Sequence, residues 1–268
     1  MRTIVHLSDL HFGRLDERII PPLVERISAI NPDLVAISGD LTQRARRRQF
    51  QEARAFLDEL RVPTLAVPGN HDVPLFNLAG RLLDPFGGYR RYINPNLEPA
   101  HFDEEMAVVG LNSSRALITR GRGRLNVTQV DDAAARLKSL GASAIKVVVT
   151  HHPFDLPIGL HTHHLVGRAT PAMVRLAEAG ADLFLAGHLH VSHLGHTAER
   201  YRIGGHSALV VQAGTLSTRG RGELNTFNVL HIARPEMTIE RYSWTVGGRT
   251  FEQSFEGKYR HTIDGWTA

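Results

Sequence analysis

Side chains that can bind a metal ion recur in short motifs between residues 9 and 190 of this 268-residue chain. Two motifs, Asp-x-His at 9–11 and His-x-His at 188–190, place two such side chains on the same side of an extended segment, because side chains alternate along a strand. The residues with this capacity are Asp9, His11, Asp40, Asn70, His71, Asp72, His151, His188 and His190. The chain has no cysteine, so disulfides and thiolate sites are excluded and nitrogen and oxygen atoms would hold any ion.

Each motif directly follows an apolar segment whose pattern predicts a β-strand. The predicted strands span residues 3–7, 34–38, 64–67, 145–150 and 182–186. Ligands of open α/β sheets bind beyond the carboxyl ends of the strands, so we expect these side chains to converge. Gly39, Gly69 and Gly187 precede ligand candidates and are expected to permit tight turns. A single motif of this kind is more often an ordinary surface loop, but the ordered set indicates a metal site.

Helical patterns separate these strands in the first two-thirds of the chain. Predicted helices span 20–30, 46–60, 128–140 and 171–179, with Thr128 and Thr170 as N-caps of the last two. A further strand is predicted at 107–112, and residues 73–105 are expected to form an irregular, lid-like excursion. From residue 201 onward, predicted strands at 207–212, 226–232 and 237–246 indicate an antiparallel region. Without an evident linker or repeat, one domain spanning 1–268 is predicted.

The motifs resemble those of the calcineurin-like metallophosphoesterase superfamily. The resemblance implies an α/β fold (α+β in some schemes), built as a four-layer α/β/β/α sandwich of mixed sheets flanked by helices. This sandwich replaces the open sheet that the pattern alone suggests. The residues that carry the resemblance are Asp9-Leu10-His11, Gly39-Asp40, Gly69-Asn70-His71-Asp72, His151 and Gly187-His188-Leu189-His190.

The resemblance also implies a role for each motif residue. One divalent ion would be held by Asp9, His11, Asp40 and His190, and a second by Asp40, Asn70, His151 and His188, so that Asp40 bridges the pair. The ions would be Mn²⁺, Fe²⁺/Fe³⁺ or Zn²⁺, which ligand type does not separate. Two ions about 3.5–4 Å apart can share a water, turn it into a bridging hydroxide and clamp a phosphate.

Three residues form the candidate catalytic group beside the ions: His71, Asp72 and Arg44. His71 adjoins a ligand without being counted as one, so it is the candidate general acid for the leaving alkoxide. Arg44 is a candidate phosphate contact, although an exposed arginine that opens a helix is commonplace.

Among the branches of the superfamily, the motifs look most like those of the class III cyclic-nucleotide phosphodiesterases. The protein serine/threonine phosphatases carry Gly-Asp-x-x-Asp-Arg-Gly, whereas Gln43 and Ala45 stand here in place of the aspartate and the last glycine. A pyrophosphatase acting on a nucleotide-sugar lipid, which would need an apolar groove, and a phosphomonoesterase stay open as alternatives. A non-catalytic interaction scaffold, as in a retromer subunit, is a further alternative that the complete ligand set disfavours.

Composition limits the partners of the chain. The formal charge of +4 suits an anionic small-molecule phosphoester such as a cyclic nucleotide, while the spread of the arginines gives no reason to expect nucleic acid. No apolar stretch reaches the length of a membrane span and no signal-peptide core follows Met1, so a cytoplasmic location is expected. The basic run 120–124 is predicted to form a loop. The histidine-rich segment 161–164 is expected either to face the substrate or to be solvated. The edge of the C-terminal strands could pair two copies into a homo-oligomer.

Overall fold

The computed structural model describes residues 1–117, 121–141, 143–201, 203 and 207–268. Arg120, the first residue of the basic run, therefore lies outside the described residues. The strands in chain order are β1 (Arg2–Leu7), β2 (Leu34–Ile37), β3 (Thr64–Ala66), β4 (Ala100–Phe102), β5 (Met106–Leu111), β6 (Ile145–Thr150), β7 (Leu183–Ala186), β8 (His193–His196), β9 (Leu209–Gln212), β10 (Thr226–Ala233), β11 (Glu236–Thr245), β12 (Thr250–Thr262) and β13 (Gly265–Thr267). The α-helices are α1 (Ile20–Ile30), α2 (Arg47–Glu59), α3 (Leu78–Leu83), α4 (Gly87–Tyr92), α5 (Val127–Lys138), α6 (Ala169–Glu178) and α7 (Thr197–Arg200).

The strands form two mixed sheets. The first has the order β13-β12-β11-β10-β1-β2-β3, in which β1, β2 and β3 are parallel and β10 to β13 are antiparallel. The second has the order β4-β5-β6-β7-β9-β8, in which β5, β6, β7 and β9 are parallel and the edge strands β4 and β8 run the other way. The mixed sheets and the antiparallel C-terminal region are as predicted.

Alternation along the strands builds the layers. In β2, Leu34 and Ala36 join a core that also contains apolar residues of the second sheet, whereas Val35 and Ile37 pack among residues of α1 and α2. On the far side, α5 and α6 pack on the outer face of the second sheet. The predicted four-layer α/β/β/α sandwich is therefore confirmed, and its two sheets place the carboxyl ends of both parallel sets close together.

Two predicted helix caps are wrong. Helix α5 begins after Asn126, whose backbone N–H donates to the Gln129 side chain at 3.1 Å, so Thr128 lies inside the first turn. Helix α6 begins after Arg168 in a left-handed conformation, so Thr170 also lies within the helix. Backbone hydrogen bonds from Leu125 to Gly167 and from Gly167 to Gly123 fix where both helices start. This pairing between loops cannot be read from local capping patterns.

Other differences from the prediction involve segments without a clear hydrophobic period. Residues 73–105 are not irregular throughout, because they contain α3, α4 and β4, and Tyr89 of α4 is fully buried. Strand β12 was not predicted, since most of its residues are exposed and polar on both faces. In the described part of the chain, no helix has the length and apolarity needed to cross a membrane. The assignment of the chain to one domain stays a prediction.

Candidate metal centre

The side chains proposed as metal ligands come together from five strands of both sheets. Asp9 and His11 follow β1, Asp40 follows β2 and Asn70 follows β3 in the first sheet. Residues 151, 188 and 190 follow β6 and β7 in the second sheet. The ligand candidates thus meet between the carboxyl ends of two parallel sets, rather than along the edge of one open sheet.

The first group consists of Asp9, His11, Asp40 and His190, all of them buried. Nε2 of His190 lies 3.1 Å from Oδ1 of Asp9 and 3.2 Å from Nε2 of His11. Nε2 of His11 lies 3.5 Å from Oδ1 of Asp9 and 3.6 Å from Oδ2 of Asp40. Four nitrogen and oxygen atoms therefore face one point.

The second group shares Asp40 with the first. Oδ2 of Asp40 lies 3.4 Å from Nε2 of His151. Oδ1 of Asn70 lies 3.1 Å from Nε2 of His151 and 3.1 Å from Nδ1 of His188, and the two histidine nitrogens are 3.3 Å apart. The same carboxylate oxygen of Asp40 faces both groups, which is the arrangement expected of a bridging ligand.

Each carboxylate has one oxygen held by the protein and one turned toward the histidines. Oδ2 of Asp9 accepts hydrogen bonds from the Ser8 hydroxyl at 2.6 Å and the His188 backbone N–H at 2.9 Å. Oδ1 of Asp9 is buried and has no hydrogen-bond partner among the described residues. Oδ1 of Asp40 accepts from the backbone N–H of His71 at 2.8 Å. The other oxygens, Oδ1 of Asp9 and Oδ2 of Asp40, are those that a bound cation would satisfy.

The distances and atom types fit divalent metal ions. Metal–ligand bonds of about 2.0–2.1 Å in a tetrahedron separate neighbouring ligand atoms by about 3.3 Å, and the separations above cluster around that value. In two of the histidines, the ring nitrogen that faces away from the centre is held by a backbone carbonyl. Nδ1 of His151 donates to the Ser38 carbonyl at 2.8 Å, and Nδ1 of His190 donates to the Arg219 carbonyl at 3.0 Å. Such hydrogen bonds fix the ring orientation of metal-binding histidines.

The electrostatics of the groups favour a cation. Burial alone would raise the pKa of the Asp9 carboxyl, yet the adjacent His190 and His11 hold that pKa well below its ordinary value. Burial would lower the pKa of His151, but the Asp40 carboxylate outweighs it and raises that pKa to about 9. A proton and a metal ion compete for the same imidazole lone pair, so both shifts describe a site that attracts positive charge.

Backbone strain is concentrated in this centre. Five ligand candidates have a left-handed φ, which is rare for residues other than glycine; they are Asp9, His11, Asp40, His188 and His190. Gly39, with φ +93°, makes the predicted turn. Gly69 and Gly187 are needed because there is no room for a side chain. A Cβ atom at position 69 would collide with Oδ1 of Asp40, and one at position 187 would collide with the Ser8 hydroxyl. Strain of this kind persists where surrounding contacts impose it, typically at functional sites.

His71 lies beside both groups without joining either. Its Nδ1 donates to the Gln43 carbonyl at 2.9 Å, so Nε2 faces the centre. Burial lowers the pKa of His71 from its ordinary value. Nη1 of Arg219 lies 3.0 Å from Nε2 of His71 and 3.3 Å from Nε2 of His11. The sequence prediction missed Arg219; its only signal is that it lies in the loop after β9, a further parallel strand.

The other two residues of the predicted catalytic group lie apart from the ligand atoms. Asp72 is buried and accepts hydrogen bonds from the backbone N–H groups of Leu41, Thr42 and Gly69, so it ties two ligand-bearing loops together. Arg44 is half-buried and its guanidinium lies 5.3 Å from the ring centre of Phe76. It lines a cavity that also reaches His71.

Two further sets of histidines lie near the second group. His152 is buried, and its ring bonds to the Ser113 hydroxyl at 2.8 Å and the Gly121 carbonyl at 2.7 Å. One of its ring nitrogens also lies within 4.8 Å of ring nitrogens of His151 and His188, so His152 borders the second group although protein atoms engage both of its nitrogens. In the histidine-rich segment, the ring of His164 lies 6.4 Å from that of His188. The segment therefore borders the second group at His164, while residues 161–163 are exposed to solvent.

Comparison with known proteins places these features in a family. A family model described as calcineurin-like phosphoesterase matches residues 2–192, a span that includes every proposed metal ligand. The chain is 27% identical over 235 residues to a probable cyclic nucleotide phosphodiesterase of Synechococcus sp., with 87% of this chain and 76% of the relative covered. It is 29% identical over 167 residues to a glycerophosphodiester phosphodiesterase of Enterobacter lignolyticus, with 58% of each chain covered.

Solved structures with the same fold are more distant in sequence. A purple acid phosphatase from yellow lupin has a TM-score of 0.66 at 10% identity, with 95% of this chain and 53% of that chain covered. Vps29 from Entamoeba histolytica has a TM-score of 0.51 at 13% identity, with 96% and 99% covered. At such low identity the likeness establishes the fold alone.

Proposed function

This chain belongs to the calcineurin-like phosphoesterase family and is a metal-dependent phosphoesterase, and from that premise we propose that it hydrolyses phosphodiesters with two metal ions. The observation that carries the proposal is the shared position of Asp40, whose Oδ2 faces His11 at 3.6 Å and His151 at 3.4 Å. The first substrates to test are cyclic nucleotides and glycerophosphodiesters, the compound classes named for the two curated relatives.

The proposed ligands are those of the two groups described above, with Asp40 between them. Two divalent ions, when bound, supply a nucleophile from water at neutral pH and neutralise charge on the phosphate. We propose Mn²⁺, iron or Zn²⁺, because imidazole and carboxylate suit all three.

The residues around the ions have separate tasks in the proposed reaction. The oxygen of water bonds to phosphorus, a proton of that water passes to solvent, and the P–O bond to the leaving group breaks with its electron pair on the leaving oxygen. His71 first takes up a proton from solvent at Nε2, since Nδ1 is already committed to Gln43, and then delivers that proton to the leaving oxygen. Arg219 places a guanidinium beside the reacting phosphate, where it opposes the growth of negative charge.

Metal content and substrate preference test the proposal together. We expect protein stripped with EDTA and reloaded with Mn²⁺ to bind two ions per chain and to hydrolyse bis(4-nitrophenyl) phosphate faster than 4-nitrophenyl phosphate. The variant Asp40→Ala should lose the shared oxygen, bind fewer ions and lose nearly all turnover. Equal rates on the diester and the monoester would refute the diester preference. A folded protein that binds metal and hydrolyses neither compound would favour the scaffold alternative.

One observation favours a second candidate function, hydrolysis of a pyrophosphate bond in a nucleotide-sugar lipid. Helix α3 has no buried residue, and large apolar side chains around it are exposed. They are Leu75, Phe76, Leu78, Leu82 and Leu83. Because Leu75 also lines the cavity beside His71, this surface could hold an acyl chain near the metal centre. Faster turnover of an acylated pyrophosphate substrate than of any diester would favour this function.

A further inference from the structure

A basic cavity opens beside the proposed general acid. It has a volume of about 200 Å³, and His71 and Asn70 form part of its wall. Three arginines, Arg44, Arg81 and Arg115, line the same space. The metal centre therefore continues on one side into a small chamber lined by guanidinium groups.

Two of the guanidinium groups are held in place by neutral oxygens. Arg81 donates from Nε to the Ala116 carbonyl at 2.7 Å and from Nη1 to the Pro74 carbonyl at 3.1 Å. Arg115 donates from Nη1 to the carbonyls of residues 112 and 114, each at 2.8 Å, and from Nη2 to the Gln129 side chain at 2.9 Å. These bonds orient the cations without neutralising them.

The described lining of the cavity contains no carboxylate. Among the described residues, Arg44, Arg81 and Arg115 form no ion pair, and no aspartate or glutamate lines the space. Glu98 lies outside the lining; it attracts the Arg115 guanidinium electrostatically, and the Gln129 side chain bonds to both residues. The chamber consequently carries an excess of positive charge that an anion would satisfy.

The size of the chamber limits what it can hold. Pockets that enclose whole ligands measure about 300–1,000 Å³, so a space of about 200 Å³ suits one chemical group rather than a nucleoside. Guanidinium groups bind phosphate through paired N–H donors, which makes phosphate the anion that this lining fits best. The position beside His71 places that group on the side from which the leaving oxygen takes its proton.

We propose that this cavity is a subsite for a phosphate group carried by the leaving alcohol of the substrate. The proposal rests on the proposed function and narrows its substrate class to diesters with a second, terminal phosphate. A 3′,5′-cyclic nucleotide has no such group and would leave the subsite empty.

A matched pair of substrates tests the subsite. Glycerophosphoinositol and glycerophosphoinositol 4-phosphate differ only by the added phosphate, and bis(4-nitrophenyl) phosphate reports on metal-dependent hydrolysis itself. We expect kcat/KM of the Mn²⁺-loaded enzyme to be about 10-fold or more higher for the phosphorylated compound, the worth of one charge-assisted hydrogen bond. Arg44→Ala and Arg81→Ala should each lower this ratio toward one, and Arg44→Lys should retain part of it.

The control variant is Arg47→Ala, because Arg47 is exposed at the start of α2 and does not line the cavity. It should leave the ratio unchanged. A wild-type ratio near one, with bis(4-nitrophenyl) phosphate still hydrolysed, would overturn the subsite alone. The subsite is also overturned if Arg44→Ala and Arg81→Ala reduce kcat/KM equally for both inositol compounds. Absence of activity on all three compounds would refute the proposed function and, with it, the subsite.

Discussion

Replacing His71 by alanine separates proton donation from metal binding. The backbone N–H of residue 71 donates to Oδ1 of Asp40 at 2.8 Å, and this bond survives the substitution because it does not involve the side chain. The imidazole itself bonds to the Gln43 carbonyl and Arg219. Its one contact with a proposed ligand among the described ring pairs is the edge-on packing against His11, with ring centres 4.8 Å apart, and it holds no ligand atom in place by a hydrogen bond. We therefore expect His71→Ala to bind as many metal ions as the wild type.

The expected loss of rate depends on the leaving group. A positioned proton donor contributes about 10²–10⁴-fold, equivalent to about 3–5 kcal/mol of transition-state stabilisation. That contribution is needed when an alkoxide leaves, as from glycerophosphocholine. It is not needed for 4-nitrophenolate, which is stable in water as an anion. His71→Ala should therefore lose about 10²–10⁴-fold in kcat on glycerophosphocholine and much less on bis(4-nitrophenyl) phosphate.

The assay compares kcat for both compounds with metal content measured on the same samples. His101→Ala serves as the control, since His101 lies in β4 and forms no part of the metal centre. Equal losses on both compounds at unchanged metal content would show that His71 acts on the phosphate rather than on the leaving oxygen. An unchanged rate on glycerophosphocholine would remove His71 from the mechanism.

Three further substitutions probe the surroundings of the centre. Arg219→Ala should lower kcat by about 10²-fold on alkyl and aryl diesters alike, because the missing charge acts on the phosphate. The control Arg221→Ala removes an exposed arginine and should leave kcat unchanged; equal effects of the two substitutions would contradict this role of Arg219. Gly187→Ala should reduce metal affinity and lower stability by about 1–3 kcal/mol, because its Cβ would press on Ser8 and Asp9; an unaltered melting temperature and metal content would count against the packing argument. Burial lowers the pKa of His6 to about 3, so below pH 6.5 the unfolded chain binds a proton that the folded chain does not. The metal-free wild type should therefore lose about 2 kcal/mol more than His6→Gln in urea unfolding between pH 7.5 and pH 5, and identical losses would refute the assignment.

Much of the metal centre could be predicted from the sequence because its signal is local. Each proposed ligand directly follows an apolar segment, and in a parallel strand that position is the carboxyl end whatever its neighbours are. The predicted bounds of helix α1, Ile20–Ile30, are the observed ones, because the signals for its start and its end are local. The proline pair lies in its first turn, and Asn31-Pro32 directly follows its last residue. Strand β6 likewise matches its predicted bounds, since its buried run is continuous. Information of this kind is carried by neighbouring residues.

Relations between distant segments depend on the three-dimensional fold. Asp40 can face His11 and His151 at once only because two sheets are packed face to face. Asp72 accepts hydrogen bonds from loops about thirty positions away, so its part in holding those loops together has no local signature. Arg219 comes from a loop that the family model does not reach.

The same reason accounts for the basic cavity and for the segments that were predicted wrongly. Arg44, Arg81 and Arg115 belong to three separate loops or helices, and each alone resembles an ordinary surface arginine. Strand β12 is held by pairing with β11 and β13 rather than by an apolar face of its own. Residue type and spacing therefore determined which chemistry the chain can perform, while packing between distant segments determined which groups share a ligand, a charge or a cavity. Contacts across the fold depend on chain geometry that no short stretch of sequence contains.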